Sequence, residues 1–179
     1  MLDDPIKYGL LAALAIALLI AAFTDLKSRR IANWLNLAIA LGAPLFWWAS
    51  GMSLWPDVAW QFGLFLAVFA VCSVLFAIRQ MGGGDVKLLS ALALWLPPAL
   101  FLKFLVIMAL LGGLLTLFIG IRNVMVRRNK NKKRWDIPYG LAISAAGLWA
   151  IGVMTISATA TATTSTATIA ANAAQALAG

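Results

Sequence analysis

Six long apolar stretches dominate the sequence and limit what this chain can fold into. A run of about 17 to 25 apolar residues is long enough to cross a bilayer as a helix. We predict such spans at 6–24, 34–50, 58–78, 86–98, 100–121 and 137–156. The fourth is short and ends in Pro97-Pro98, so we expect it to be tilted or partly inserted and to rely on its neighbours. The sequence therefore predicts an all-α, polytopic membrane bundle with about six transmembrane helices.

The composition supports a membrane protein. Of the 179 residues, 63% are hydrophobic and 11% are charged, whereas a soluble domain is about half apolar and about a quarter charged. A soluble core of this length could not bury so many apolar side chains. From Ser157 the chain becomes a charge-free repeat of alanine and threonine. We therefore predict a membrane-embedded domain at 1–156 and a low-complexity external tail at 157–179, either disordered or continuing the last helix.

The distribution of basic residues predicts the orientation. Loops rich in lysine and arginine remain in the cytoplasm, and an N-terminus outside leaves only Lys7 and Lys103 of the 14 basic residues on the external side. The positive charges follow the first apolar run and do not precede it, so we interpret this run as a retained span and not as a cleaved signal peptide. The basic segment 127–134 then fixes topology and contacts anionic lipid, and we expect no nucleic-acid binding.

Residue types that are absent or rare exclude several kinds of chemistry. The chain has no histidine and a single cysteine, Cys72, which excludes serine-histidine and cysteine-histidine catalysis and the usual histidine-bearing metal sites. We predict no metal and no cofactor. The acidic residues are all aspartates: Asp3, Asp4, Asp25, Asp57, Asp85 and Asp136. The predicted topology puts only Asp25, Asp85 and Asp136 on the cytoplasmic side.

Asp25 directly follows the first apolar run, at the predicted cytoplasmic boundary. It is either a solvated loop acid that balances nearby arginines or part of a site. Asn33 stands at the start of the second span, where an asparagine commonly caps a helix, and we predict that role for it.

Asp85 follows three successive glycines, Gly82, Gly83 and Gly84. Glycine permits positive φ angles and close approach of another backbone, so this predicted active-site loop suits a carboxylate beside an extended peptide. The alternative interpretation is a tight turn between helices. A phosphate-binding loop is disfavoured, because an acid stands where the anion would bind. Lys87 is a candidate contact that orients a carboxylate or substrate, or it extends to the membrane interface.

The convergence of Asp25 and Asp85 would give a specific chemistry. Two carboxylates about 4 Å apart repel each other by roughly 4 kcal/mol at an effective dielectric constant of 20, so they would share one proton. The ionised partner then takes a proton from water, and the protonated partner polarises a peptide carbonyl. The same pair could instead bind a cation. Asp136 adjoins the basic segment, and we interpret it as a counterion.

These residues resemble the type IV prepilin leader peptidases. Residues 25–33, beginning Asp25-Leu26-Lys27, resemble the first aspartate motif of that family. Residues 82–88 resemble its glycine-x-glycine-aspartate motif, and Ile137–Ile143 resembles the entrance to the final helix in short members that serve tight-adherence (Flp) pili. The resemblance covers roughly residues 8–155.

The resemblance implies that Asp25 and Asp85 are the catalytic pair of an aspartic endopeptidase in the bacterial inner membrane, with its site toward the cytoplasm. The implied substrate is a pilin-like precursor with a basic leader before an apolar helix, cut after a glycine. Ala32 stands where many relatives have proline. The cysteine-bearing N-terminal region of long members does not precede the first span, so we expect no N-methyltransferase activity.

Two other hypotheses stay open from the residues alone. One is a small transporter or ion-binding protein, because acids within a membrane often mark ion paths. The other is a noncatalytic scaffold of a pilus assembly machine. The native pilin, the substrate groove and the oligomeric state do not follow from the sequence.

Overall fold

The computed structural model describes residues 5–29, 31–127 and 139–178. Its secondary structure is helical, which confirms the predicted all-α class. A single helical turn at Leu54–Val58 leads into the third helix. The six helices are α1 (Pro5–Ser28), α2 (Asn33–Ala49), α3 (Ala59–Ala77), α4 (Gly83–Ala93), α5 (Pro98–Arg127) and α6 (Tyr139–Ala178).

Among the residues that the structure describes, four helical segments are long and apolar enough to cross a membrane: Pro5–Ser28, Leu54–Ala77, Pro98–Met125 and Tyr139–Ala160. This confirms a polytopic helical membrane protein. The other two helices are shorter, since at 1.5 Å per residue α2 extends about 26 Å and α4 about 16 Å, against a hydrocarbon core of about 30 Å. The predicted tail begins without a break in α6, which has 40 residues, so its described part continues the last helix.

The buried core lies where α1, α2, α4 and α6 meet. In α1, Leu11, Leu14, Leu18 and Ala21 are buried, and their spacing of three and four residues places them on one helix face. The short α4 packs on α2, α3 and α6. By contrast, α3 buries only Gln61 and Cys72, and most of its apolar side chains face outward. The outer faces of the bundle therefore suit contact with lipid.

Side chains from α2 and α3 hold the C-terminal end of α4. The last carbonyls of a helix have no partners within that helix, and the bilayer core provides no water to bind them. Here the Gln61 side-chain amide donates to the carbonyl oxygens of Ala93 and Leu96, at 2.9 and 2.6 Å. The Trp47 indole N–H donates to the Leu94 carbonyl oxygen at 2.8 Å. These bonds hold α4 in position and so set where its first turn lies.

Candidate active site

The last turn of α1 and the first turn of α4 bring Asp25 and Asp85 to one cavity of about 660 Å³. Both aspartates also line an adjoining cavity of about 390 Å³. The charge of Asp25 acts on Asp85, as expected for two carboxyl groups that face the same small space. The two residues that Sequence analysis singled out therefore lie together, although 59 residues separate them in the chain.

Asp25 lies deep in the wall of the cavity, with 7% of its surface exposed. Backbone N–H groups of Gly140 and Leu141, in the first turn of α6, interact with its carboxyl group. Such N–H groups have no partners within their own helix, and the helix N-terminus carries partial positive charge. The Oδ2 atom of Asp25 has no hydrogen bond of standard geometry. The first turn of α6 therefore acts on the Asp25 carboxyl group electrostatically, with no hydrogen bond of standard geometry to Oδ2.

Gly140 permits this contact because it has no side chain. A Cβ atom at this position would lie 2.8 Å from both Cγ and Oδ2 of Asp25, which is closer than unbonded atoms approach. The sequence pattern indicated no role for Gly140 beyond its place in the segment 137–143 that entered the family resemblance. The available signal was a glycine in the first turn of a predicted helix, where glycine lowers helix stability.

Asp85 is half-buried in the first turn of α4, two residues after the helix begins at Gly83. Burial raises the pKa of Asp85 to about 6, and the neighbouring Asp25 carboxylate adds to the rise, while the backbone N–H of Gly82 opposes it. Gly82 is the residue that caps this helix, so the carboxyl group reaches back to the capping residue, as the acid of a capping box does. An acid with this pKa exchanges its proton near neutral pH.

Gly82 caps α4 and the next two glycines begin the helix, so most of the run is not the loop that the sequence predicted. Gly83 and Gly84 are helical, and both lie close to other parts of the chain. A Cβ atom at Gly83 would lie 3.2 Å from the Phe76 ring, and one at Gly84 would lie 3.4 Å from Cβ of Ile31. The run therefore lets the start of α4 fit between the end of α3 and the α1–α2 connection.

Lys87 and Asn33 connect α4 to α2 beside the site. The Lys87 Nζ donates to Oδ1 of Asn33 at 2.8 Å, and both residues line the 390 Å³ cavity. The prediction that Asn33 caps α2 is wrong, because the capping residue is Ala32 and no side chain bonds the free N–H groups there. Asn33 is instead the first helical residue, and its side chain accepts from another helix.

Two arginines line the cavity in the left-handed backbone region. Arg29 has φ 54° and Arg79 has φ 60°, a conformation that is uncommon for residues other than glycine. Arg29 interacts electrostatically with Asp25. As basic residues, the two arginines predicted only the orientation of the chain, because the backbone angles that place them at the cavity leave no mark in the sequence.

Within the described ranges, no group of three or more histidine, cysteine or acidic residues is placed to hold a metal ion. Asp136, predicted to be a counterion, lies outside the described residues, as does most of the basic segment 127–134. The described site consists of two aspartates, the first turns of α4 and α6, and the arginines that line the cavity.

Comparisons with known proteins agree with these residues. Residues 12–117 match the model of the type IV leader peptidase family, a range that contains Asp25 and Asp85. The chain is 31% identical over 150 residues to a prepilin leader peptidase/N-methyltransferase of Aeromonas hydrophila, an alignment that covers 80% of this chain and 50% of that protein. The chain thus spans about half the length of this curated relative. No solved structure matches.

Proposed function

Because the chain belongs to the type IV leader peptidase family, we propose that it is a membrane aspartic endopeptidase with Asp25 and Asp85 as its catalytic pair. Its substrates are type IV prepilin-like precursors, from which it removes the basic leader by cutting after a glycine. The observation that carries this proposal is that both carboxyl groups line one cavity and interact electrostatically.

The pair hydrolyses the peptide bond while sharing one proton. The ionised carboxylate takes a proton from a water molecule, whose oxygen attacks the scissile carbonyl carbon. The protonated carboxyl group donates to the carbonyl oxygen and stabilises the charge that develops there. Collapse of the tetrahedral intermediate breaks the C–N bond, and the leaving nitrogen takes up the proton that came from water. No external oxidant, reductant or co-reactant other than water takes part.

The surroundings of the pair suit this division of roles. The N–H groups of Gly140 and Leu141 and the guanidinium group of Arg29 all act on the carboxyl group of Asp25. The raised pKa of Asp85 keeps its neutral form available near pH 6. Since the two groups are coupled, they titrate as a pair and not as independent acids.

The proposed site faces the cytoplasm, in the inner membrane of a bacterium. Lys27, Arg29, Arg79 and Lys87 lie at the end of the bundle that carries the aspartates, where α1 and α3 end and α4 begins. Basic residues remain on the cytoplasmic side, which puts the N-terminus outside. In this arrangement all six helices lie in the membrane, α2 and α4 being supported by their neighbours, and the basic end contacts anionic lipid.

The direct test is cleavage of a pilin-like precursor by the purified full chain in detergent. We expect a product that begins after a glycine next to the apolar segment, identified by mass spectrometry. Asp25→Asn and Asp85→Asn should each reduce cleavage by at least about 10³-fold, at unchanged membrane levels. Retained cleavage in either variant would falsify the catalytic pair.

Two additions to the same reaction test the alternatives. A chelator should leave the rate unchanged, whereas a loss of activity restored by a divalent cation would favour a cation bound by the two carboxylates. With S-adenosylmethionine present, the new N-terminus should carry no methyl group. Methylation in this purified sample would overturn the expectation of peptidase activity alone.

A further inference from the structure

An apolar groove of about 830 Å³ lies between α3 and α5. It exists because α3 packs mainly on α4 while α5 packs mainly on α6, so these two helices diverge. The groove walls are almost entirely hydrocarbon. On α3 they include Val68, Val71 and Cys72, and on α5 they include Leu105 and Met108.

The groove leads to the proposed catalytic pair. Gln80, Met81 and Tyr139 line both the groove and the cavity that holds Asp25 and Asp85. A molecule lying in the groove therefore has one end beside the two carboxyl groups. This continuity distinguishes the groove from the apolar outer faces of the bundle, which suit contact with lipid.

The dimensions of the groove suit a helix. Its lining along α5 extends from Phe101 to Leu117, about 24 Å at 1.5 Å per residue, which is most of a hydrocarbon core of about 30 Å. A peptide at this depth must satisfy its backbone N–H and C=O groups internally, so it must be helical.

Small residues in the walls allow a helix to approach closely. Ala67, Ala109, Gly113 and Ala142 all line the groove, and a Cβ atom at Gly113 would meet nothing within 4 Å. In membranes, such small residues favour helix association, because they bring two backbones into van der Waals contact. The groove thus has the length, polarity and wall chemistry of a docking site for one apolar helix.

We propose that this groove binds the apolar helix of the substrate that adjoins the scissile bond. The helix lies between α3 and α5, and the residues that leave its cytoplasmic end pass Tyr139 and Met81 to reach Asp25 and Asp85. This inference rests on the proposed peptidase function. It adds that the enzyme recognises a membrane-embedded helix through its own lateral groove and does not bind the cleavage-site peptide alone.

The first test fills the groove and compares two substrates. Gly113→Leu puts a side chain into open space within the groove, and Gly120→Leu is the matched control, because a Cβ atom there also meets nothing within 4 Å and Gly120 does not line the groove. We measure kcat/KM for a full precursor and for a short peptide that spans the cleavage site without the helix.

We expect Gly113→Leu to lower kcat/KM for the full precursor about tenfold to a hundredfold more than for the short peptide, the loss that accompanies removal of one buried apolar contact. Gly120→Leu should change neither value by more than about twofold. An equal loss for both substrates in Gly113→Leu, or no loss for either, overturns the groove proposal. Cleavage of the full precursor by the wild-type protein would still support the peptidase function when the groove proposal fails in this way.

The second test detects the bound helix directly and needs no cleavage. Val71 lines the groove and is 61% exposed, whereas Leu66, 51% exposed on the same helix, does not line it. The protein used carries three changes: Asp85→Asn, which removes activity, Cys72→Ala, which removes the native thiol, and Val71→Cys, which introduces the probe. It is mixed with precursors that carry single cysteines along the apolar helix.

With a mild oxidant, we expect disulfide cross-links to Val71→Cys that recur every three to four substrate positions, the period of a helix. The matched Leu66→Cys protein should give none. The absence of such cross-links, with lipid alone occupying the groove, overturns the proposal. If the wild-type protein cleaves no precursor while the periodic cross-links form, the proposed function fails and the groove remains a helix-binding site.

Discussion

The two flanks of the catalytic cavity are built in opposite ways. The closed flank consists of α1, α2, α4 and α6, which bury most of the core side chains and hold Asp25 against the first turn of α6. The open flank consists of the facing sides of α3 and α5, which leave an apolar groove between them. The closed flank fixes the reacting groups, and the open flank gives a membrane-embedded segment a way to reach them.

The membrane explains why both constructions coexist in one small bundle. In water, an apolar groove of this size would tend to close, because burying its walls is favourable. In lipid, hydrocarbon chains solvate the walls as well as protein does, so no hydrophobic force draws α3 and α5 together. Close packing therefore arises where polar contacts between helices fix it, as the hydrogen bonds of Trp47 and Trp95 do on the closed flank.

The closed flank should tolerate no added atoms at Gly140. Gly140→Ala places a Cβ atom 2.8 Å from Cγ of Asp25, so the carboxyl group or α6 must move. A displacement of about 1 Å at a reacting group costs about 10² in rate. We expect kcat for precursor cleavage to fall by about 10²-fold.

Gly152→Ala is the control in the same helix, because a Cβ atom there meets nothing within 4 Å. It should leave kcat unchanged and should not lower thermal stability, since alanine favours a helix more than glycine does. Equal activity of the Gly140→Ala and Gly152→Ala proteins would show that the contact between Asp25 and α6 is not needed for catalysis.

The pH dependence of cleavage should come from the two carboxyl groups and not from the open flank, because no acid lines the groove. The pKa of Asp85 is raised from 3.8 to about 6, so its neutral form is lost as the pH rises through 6. If that proton is the one donated to the substrate, kcat should be about fifty-fold lower at pH 8 than at pH 6.

The same raised pKa has a consequence for folding. A folded-state pKa above the unfolded value means that the stability from Asp85 is present at low pH and decreases between about pH 4 and pH 6. Asp85→Asn should therefore not lower the melting temperature at pH 7. A rate that is constant from pH 6 to pH 8, or a marked loss of stability in this variant, would contradict the assignment.

Because the closed flank is tightly packed, added atoms should also lower its stability at positions away from the catalytic site. A Cβ atom at Gly42 would lie 2.8 Å from the Trp95 ring, which cannot move freely because its N–H donates to the Ile39 carbonyl oxygen at 2.8 Å. Gly42→Ala should reduce the free energy of unfolding by about 1 to 3 kcal/mol. The control is Gly63→Ala in α3, where the added atom meets nothing within 4 Å. Its melting temperature should be no lower than that of the wild-type protein, since alanine favours a helix.

The smallest effect is expected at the hydrogen bond between Lys87 and Asn33, on the solvent-exposed edge of the closed flank. Because Lys87 is exposed, water competes for this bond, and a double-mutant cycle with Lys87→Met and Asn33→Ala should give a coupling of about 0.5 to 1 kcal/mol in stability. A coupling near zero in stability, with a large loss of cleavage in Lys87→Met alone, would show that Lys87 contacts substrate and does not position α4.

Much of the architecture could be predicted from the sequence because it depends on local patterns. The apolar runs gave the helical membrane class, which the structure confirms, and the motifs around Asp25 and Asp85 gave the family, which the comparisons confirm. The weak fourth run corresponds to α4, a helix of 11 residues that depends on Gln61 and Trp47 to bond its last carbonyls.

Other features could not be predicted, since they depend on which surfaces meet. The capping prediction for Asn33 failed because Lys87, 54 residues later, provides its partner. Two of the three glycines in the predicted loop, Gly83 and Gly84, instead begin a helix. Side chains from other parts of the chain pack against them.

By itself, the sequence determined that the chain lies in a membrane and which reactive side chains it contains. Both follow from composition and from the length of apolar runs, which do not depend on which residues contact one another. It also narrowed the acids available for chemistry to a few aspartates. Only the tertiary structure decided that Asp25 and Asp85 share a cavity, that the backbone at Gly140 packs against Asp25, and that α3 and α5 diverge to leave a groove. These outcomes depend on contacts between distant helices, and such contacts are set by the packing of whole surfaces.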